Sequence, residues 1–286
     1  MTSASPSPTA APERRERSLR RVLLPVAVGG PALLMTLFLG LPVLTVVARG
    51  LFGGALAGTV ASGPILDALV LSLATTAVSL VLSVLLGVPL AWALARRRFR
   101  GAGLVEALID LPIVLPPSVA GLALLLVLGR QGPIGGPLAA LGIGIPFTTV
   151  AVILAQVFVA APFFIRSARA GFAGVDRDLE DAARVDGASE LHVFRYVTLA
   201  LALPNLSAGM VMTWARALGE FGATILFAGN IEGRTQTLPL VVYSAFQTSL
   251  DASIAAATIL VLAAAAVLLG VRVVGSRSML EGFGLR

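Results

Sequence analysis

Long apolar runs, parted by short polar segments rich in arginine, set the pattern of this chain. An α-helix rises about 1.5 Å per residue, so about 20 apolar residues span the hydrocarbon of a bilayer. Six segments meet or approach that length: residues 22–47, 68–95, 111–128, 149–165, 197–218 and 254–274. The fifth can run on to about residue 228, which would place Arg216 and Glu220 within it. The third contains Leu111-Pro112 and Pro116-Pro117. Proline lacks a backbone donor and clashes with the preceding turn, so a broken or kinked helix is expected there. A short polar piece with Glu106 and Asp110 leads into it. The pattern predicts an all-α integral membrane protein with about six transmembrane helices.

One polar interruption differs from the rest. Between residues 175 and 190 stand eight charges: Asp176, Arg177, Asp178, Glu180, Asp181, Arg184, Asp186 and Glu190. An insert so charged must lie in water. Asp176 can cap a short helix whose first turns hold Asp178, Glu180 and Asp181, where acids suit the helix dipole. Gly187 stands where a left-handed residue would end that helix, and Ser189 can cap the next. Val175, Leu179, Ala182 and Ala183 fall on one side at three-to-four spacing. Their small size lets another surface approach, which suits docking of the helix in a groove. A solvated connection between two spans fits the same spacing.

Composition agrees with a membrane protein. Of 286 residues, 57% are hydrophobic and 13% charged, against about 25% charged in soluble domains. There is no cysteine and one histidine, which excludes disulfides, a catalytic thiol and multi-histidine metal sites. All 21 basic residues are arginine. Without lysine there is neither a P-loop of the ordinary kind nor a Schiff-base site, so the chain has no ATPase site of its own.

The net charge of +6 reads better as membrane orientation than as nucleic-acid binding, because the arginines cluster at the ends of apolar segments. Arginines 14, 15, 17, 20 and 21, then 96, 97, 98 and 100, then 166, 169, 177, 184 and 195, and finally 272, 277 and 286 fall on one side of a six-span layout. The positive-inside rule then puts both termini and the charged insert in the cytosol. The loops after Arg49, after Arg130 and between residues 228 and 251 face the other way.

The organisation expected is a disordered cytosolic tail over 1–21, a first span and external loop over 22–65, a core over 66–274 with its cytosolic loop at 175–196, and a cytosolic tail over 275–286. Ala55-Leu56-Ala57 weakly resembles a signal-peptide cleavage site, but the preceding apolar run has the length of a retained span.

Asp181-Ala182-Ala183, then Gly187-Ala188-Ser189, with Phe194, Val197, Leu199 and Leu203-Pro204 beyond, resembles the coupling loop of binding-protein-dependent ABC importer permeases. Asp181 replaces the usual Glu of that loop, with Glu180 adjacent, and Ala200 stands where a Pro is common. The resemblance covers about residues 66–274 and implies a type I importer permease fold. It also implies that Glu180, Asp181, Ala182, Ala183, Gly187, Ala188 and Ser189 form the contact with a separate ATP-binding cassette dimer. Further partners implied are a second copy of the permease, an external oxyanion-binding protein and membrane lipid, with no cofactor, no metal and no nucleic acid. The setting implied is the bacterial cytoplasmic membrane.

A second segment narrows the cargo. Arg216-Ala217-Leu218-Gly219-Glu220-Phe221-Gly222, followed by Gly233-Arg234-Thr235-Gln236-Thr237-Leu238-Pro239, resembles the molybdate, tungstate and sulfate group of these permeases, and molybdate members most closely. Sulfate, thiosulfate and tungstate remain alternatives, and a self-contained secondary transporter is a further reading that leaves the charged insert unexplained. Arg216 and Glu220, four apart, face each other on a helix. They line an anion path or brace each other. A strong anion trap would slow release, which favours the brace. Thr213, Thr224 and Asn205 are the neutral candidates for the path.

Ser72, Thr75, Thr76, Ser79 and Ser83 form a polar line on the second span, suited to either helix packing or a pore. Trp92 and Trp214 are expected to anchor span ends, and His192 to be an ordinary surface residue.

Overall fold

The computed structural model describes residues 10–54, 56, 63–97 and 99–282, with side chains between residues 29 and 271. The described residues form helices α1 (Ala10–Phe52), α2 (Gly63–Arg96), α3 (Ala102–Val114), α4 (Pro117–Leu128), α5 (Gly135–Ala140), α6 (Thr149–Ala173), α7 (Arg177–Val185), α8 (Glu190–Leu218), α9 (Gly222–Phe227), α10 (Leu238–Phe246) and α11 (Leu250–Gly282). Five of these are long and apolar enough to cross a membrane, and the bent pair α3 and α4 brings the number to six where the two halves count as one span.

Two expected boundaries move. Residues 10–21, read as disordered, are drawn into α1. Pro12 sits in the first turn, where its missing N–H does no harm, and Glu13 to Arg17 are good helix formers. Likewise α11 extends through residues 275–282 of the expected C-terminal tail. Residues 1–9, Ala55, 57–62, Arg98 and 283–286 lie outside the described residues.

The third span breaks as its prolines demand. Leu115, preceding Pro116, is extended at φ −66° and ψ 136°, and Pro117 opens α4 at a position that needs no N–H. The two halves meet at a bend of 119°.

Helices α2, α6 and α8 pack together at the centre. Ala91, Phe164, Ala168, Phe172, Ala202 and Leu206 form its buried apolar cluster. Lipid tails give helices little hydrophobic reason to associate, so close packing over small residues must serve instead. The clearest case joins α4 to α9: a Cβ on Gly121 would lie 2.6 Å from the Ala223 carbonyl oxygen, and one on Gly222 would lie 2.6 Å from Pro117 Cβ. Backbones approach there at a distance that only glycine allows. A third cluster, Ile65, Ala68, Leu238, Val241 and Ala256, seats α10 and α11 against the start of α2. Helix α1 stands apart. Its residues from Leu33 to Leu44 are largely exposed, and it meets α11 where Thr258 Oγ1 donates to the Val46 carbonyl at 3.2 Å.

Candidate functional site

The charged insert folds as its sequence directs. Asp176 caps α7 by accepting the Asp178 N–H at 3.0 Å. Gly187 takes φ +90°, and the chain reverses with Gly187 N–H donating to Arg184 O and Ala188 N–H to Ala183 O, both at 3.0 Å. These two bonds satisfy the last carbonyls of α7 in a Schellman turn. Ser189 then caps α8 by accepting the His192 N–H at 3.4 Å. His192 is exposed and stacks on Tyr196.

The faces of α7 divide its residues into two groups. Leu179, Asp181, Ala182 and Val185 are exposed, with Leu179 at 51% and Val185 at 87%. Glu180 points the other way and is 7% exposed. Its Oε1 takes a 2.8 Å bond from Arg96 Nη2, at the end of α2, and a 2.6 Å bond from Thr198 Oγ1. Arg96 also donates to the Val175 carbonyl at 3.1 Å. Thr198 closes a π-helical turn, Val193–Thr198, inside α8. Such turns carry one extra residue and recur at functional sites. Arg184, on the exposed side, binds Asp181 at 2.6 Å and Glu190 at 2.7 Å. Those hydrogen bonds, Glu190's foremost, hold its guanidinium above the ordinary value. Beside α7 opens a cleft of about 850 Å³, lined by Arg177, Glu180, Asp181 and Arg184 of α7 together with Val88, Trp92, Arg97 and Phe194.

The polar line on α2 is a packing seam. Ser72, Thr75, Thr76, Ser79 and Ser83 are each at most 2% exposed. Gln156 of α6, itself 1% exposed, answers them: its amide donates to Thr75 at 3.2 Å and Thr76 at 3.4 Å, and its carbonyl accepts from Ser79 at 2.9 Å. Ser72 accepts the Leu238 N–H at 2.7 Å and so fixes the start of α10. Sequence reasoning passed over Gln156, although a lone polar side chain within an apolar span is itself a signal. It also missed the pairs Arg166–Asp110 at 2.9 Å and Arg169–Glu106 at 2.8 Å, which tie α6 to α3. The signal was available as two acids and two arginines, each pair spaced to share one helix face.

At the other segment the fifth span does not run on to residue 228. Helix α8 ends at Leu218, and Gly219 to Phe221 break it before α9. Glu220 sits in that break at 1% exposure. Its Oε1 accepts the Ala223 N–H at 2.7 Å, capping α9, and its Oε2 lies 2.8 Å from Arg216 Nη1. Arg216 remains 29% exposed. A carboxylate so buried is tolerable because the Arg216 charge lies beside Oε2 and a backbone N–H donates to Oε1, although the guanidinium is not aligned for a hydrogen bond to Oε2.

Thr213 and Thr224 are fully buried, and their hydroxyls have no partner among the described residues. Asn205 is exposed on α8 beside the α6 contact, where its backbone carbonyl accepts from Ser167. It lies eight residues from Thr213, about 12 Å along the axis, so the structure does not gather these candidates into one cluster. Thr235 and Thr237 are buried, and Thr235 accepts the Ile231 N–H at 2.9 Å. Trp92 sits edge-on to Phe194 with Arg97 over its ring. Trp214, expected as an interfacial anchor, is instead a buried residue at 8% exposure, because its side of α8 turns into the bundle.

Comparison with known proteins places these features. The family described as binding-protein-dependent transport system inner membrane component matches residues 83–279. The chain is 45% identical over 204 residues to the molybdenum transport system permease protein ModB of Mycobacterium bovis, covering 71% of this chain and 77% of that protein. To the protein of the same name from Haemophilus influenzae it is 44% identical over 184 residues, covering 64% and 80%. A solved bacterial ABC transporter involved in the import of the acidic polysaccharide alginate contains a chain that superposes with a TM-score of 0.74 at 18% identity, covering 92% of this chain and 99% of that one. At that identity the likeness concerns the fold.

Proposed function

The chain belongs to the family of inner membrane components of binding-protein-dependent transport systems, the multi-pass permease subunits of ABC importers, and we propose that its cargo is molybdate. The observation that carries this reading is the 45% and 44% identity, over most of the permease core, to relatives named for molybdenum transport.

The drive comes from a separate pair of ATP-binding cassette subunits. Two copies of this chain would form the path, with both termini in the cytosol and the loops after Arg49 and Arg130 facing an external oxyanion-binding protein. On the exposed side of α7, Leu179, Asp181, Ala182 and Val185 offer small apolar surface beside a carboxylate, which suits a groove in the ATPase. Ala183, Gly187, Ala188 and Ser189 fix the turn that presents it. Closure of the ATPases around ATP would draw the two α7 helices together and switch the path from inward-facing to outward-facing.

The binding protein selects the anion and this chain conducts it. Glu220 and Arg216 brace the break between α8 and α9. The buried hydroxyls of Thr213 and Thr224 are the groups assigned to the path, because neutral donors hold an oxyanion weakly enough to release it. Cells lacking their own molybdate importer test the reading. Expression of this chain with its ATPase and binding protein should restore molybdate accumulation at low external concentration, and excess sulfate should compete poorly. Restoration of sulfate uptake with none of molybdate would overturn it.

A further inference from the structure

We propose that Arg96, Glu180 and Thr198 act as a positioning bridge that carries movement of α7 into two membrane helices, α2 and α8. The proposal rests on the reading of α7 as the ATPase contact. It changes the role of Glu180, which lies one position before the Asp181-Ala182-Ala183 sequence and turns away from any partner that docks on the exposed side.

The geometry singles out these side chains. Helix α7 is only nine residues long, Arg177 to Val185, and it is joined to its neighbours by turns at each end. Arg177, Glu180, Asp181 and Arg184 of α7 line the open cleft of about 850 Å³ beside it. Val175, just before α7, is anchored in the central cluster. Within α7, Glu180 is the one residue buried, and Arg96 and Thr198 both donate to its Oε1, at 2.8 and 2.6 Å. One oxygen thus holds the end of α2 and the π-helical turn of α8 together. The Arg96 and Glu180 side chains are each 10% exposed, so bulk water screens the pair little and each partner is hard to replace.

A push on the outer side of α7 has few routes inward. It can pass along the covalent turns, through Val175, or through Glu180. The Glu180 route ties α2 and α8 together at one oxygen, whereas Val175 reaches α2 through its carbonyl, which also accepts from Arg96 at 3.1 Å. Helix α2 is continuous from Gly63 to Arg96, and near its far end Ser72 holds the Leu238 N–H. A displacement at Arg96 can therefore reach the segment Gly233 to Leu240 along one unbroken helix, past Pro89. The π-helical turn of α8, Val193–Thr198, stands at the same point, and such turns recur at functional sites.

The lack of native cysteine makes the test direct. A spin label at Asp178→Cys reports the distance between the two α7 helices of the assembled importer, and one at Leu86→Cys reports the distance between the two α2 helices. Both are read in the full complex with its ATPase, without nucleotide and with ATP trapped by vanadate, alongside molybdate taken up per ATP hydrolysed.

In the otherwise wild-type complex both distances should change. In Glu180→Gln, and more so in Glu180→Leu, which removes the acceptor shared by Arg96 and Thr198, the α7 change should persist while the α2 change and the uptake ratio fall, to about half or less in Glu180→Leu. Thr198→Ser, which keeps the hydroxyl, should behave as wild type. A merely structural role would lower the yield of complex and leave these two ratios alone. Should Glu180→Leu fail to assemble, Glu180→Gln, which breaks the ion pair with Arg96, decides. An α2 change that follows α7 undiminished in the deciding Glu180 variant overturns the bridge and leaves the transport reading intact. Distances that move in the wild type without molybdate uptake count against the cargo alone. A wild type in which ATP moves neither helix overturns the docking reading and the bridge with it.

Discussion

At Glu220 a single carboxylate meets two demands, the Ala223 N–H and the Arg216 guanidinium, while almost wholly out of solvent. Glu220→Ala should lower stability by about 3 kcal/mol, the low end for breaking a buried pair because Arg216 keeps some access to water. Glu220→Gln keeps an acceptor for the N–H and should lose about 1 kcal/mol. Thermal unfolding in detergent measures both. A Gln variant as stable as wild type but with altered anion preference would instead place the pair in the path. Gln156→Leu should lose about 1–2 kcal/mol, since it removes three bonds that average about 0.6 kcal/mol each within membranes. An unchanged melting temperature would contradict the packing seam. At this scale the sequence was partly legible. The Arg216–Glu220 pair followed from spacing, although Glu220 lies past the end of its helix. Gln156 and the Arg96–Glu180–Thr198 contacts did not, because they join residues 18 to 84 positions apart. Local periodicity carries no record of such distances.

Among the elements, α7 and the broken third span were read correctly from residue chemistry. Asp176, Gly187 and Ser189 occupy the caps that their side chains or lack of one dictate, and Pro116-Pro117 marks the 119° bend. The end of α8 was not legible. Leu218 to Ala228 is apolar enough to continue a span, and the break depends on Glu220 reaching forward to α9. Nor did the length of α1 and α11 follow, since hydropathy marks where a membrane span ends and not where a helix does.

Gly187→Val should cost about 1–2 kcal/mol of local strain in the left-handed region. The protein should still insert, while less ATPase co-purifies and uptake per ATP falls. Full coupling in that variant would contradict the docking geometry. Gly121→Val should sharply reduce folded yield, because its Cβ would meet the Ala223 carbonyl at 2.6 Å. Gly103→Ala, with nothing within 4 Å, should be neutral and serves as the control.

For the whole molecule, a central trio of helices holds the polar seam, with α7 projecting at one end and the α8–α9 break within the bundle. The family match and the fold agree on an importer permease, as the six-span layout and the coupling-loop resemblance led one to expect. Orientation, ATPase drive and cargo converge on one measurement. The chain is reconstituted with its ATPase and binding protein in liposomes with ATP inside, and labelled molybdate is followed from outside. The expected result is accumulation inside that requires ATP hydrolysis and the binding protein together. Uptake that continues with a non-hydrolysable ATP analogue inside would contradict the central claim.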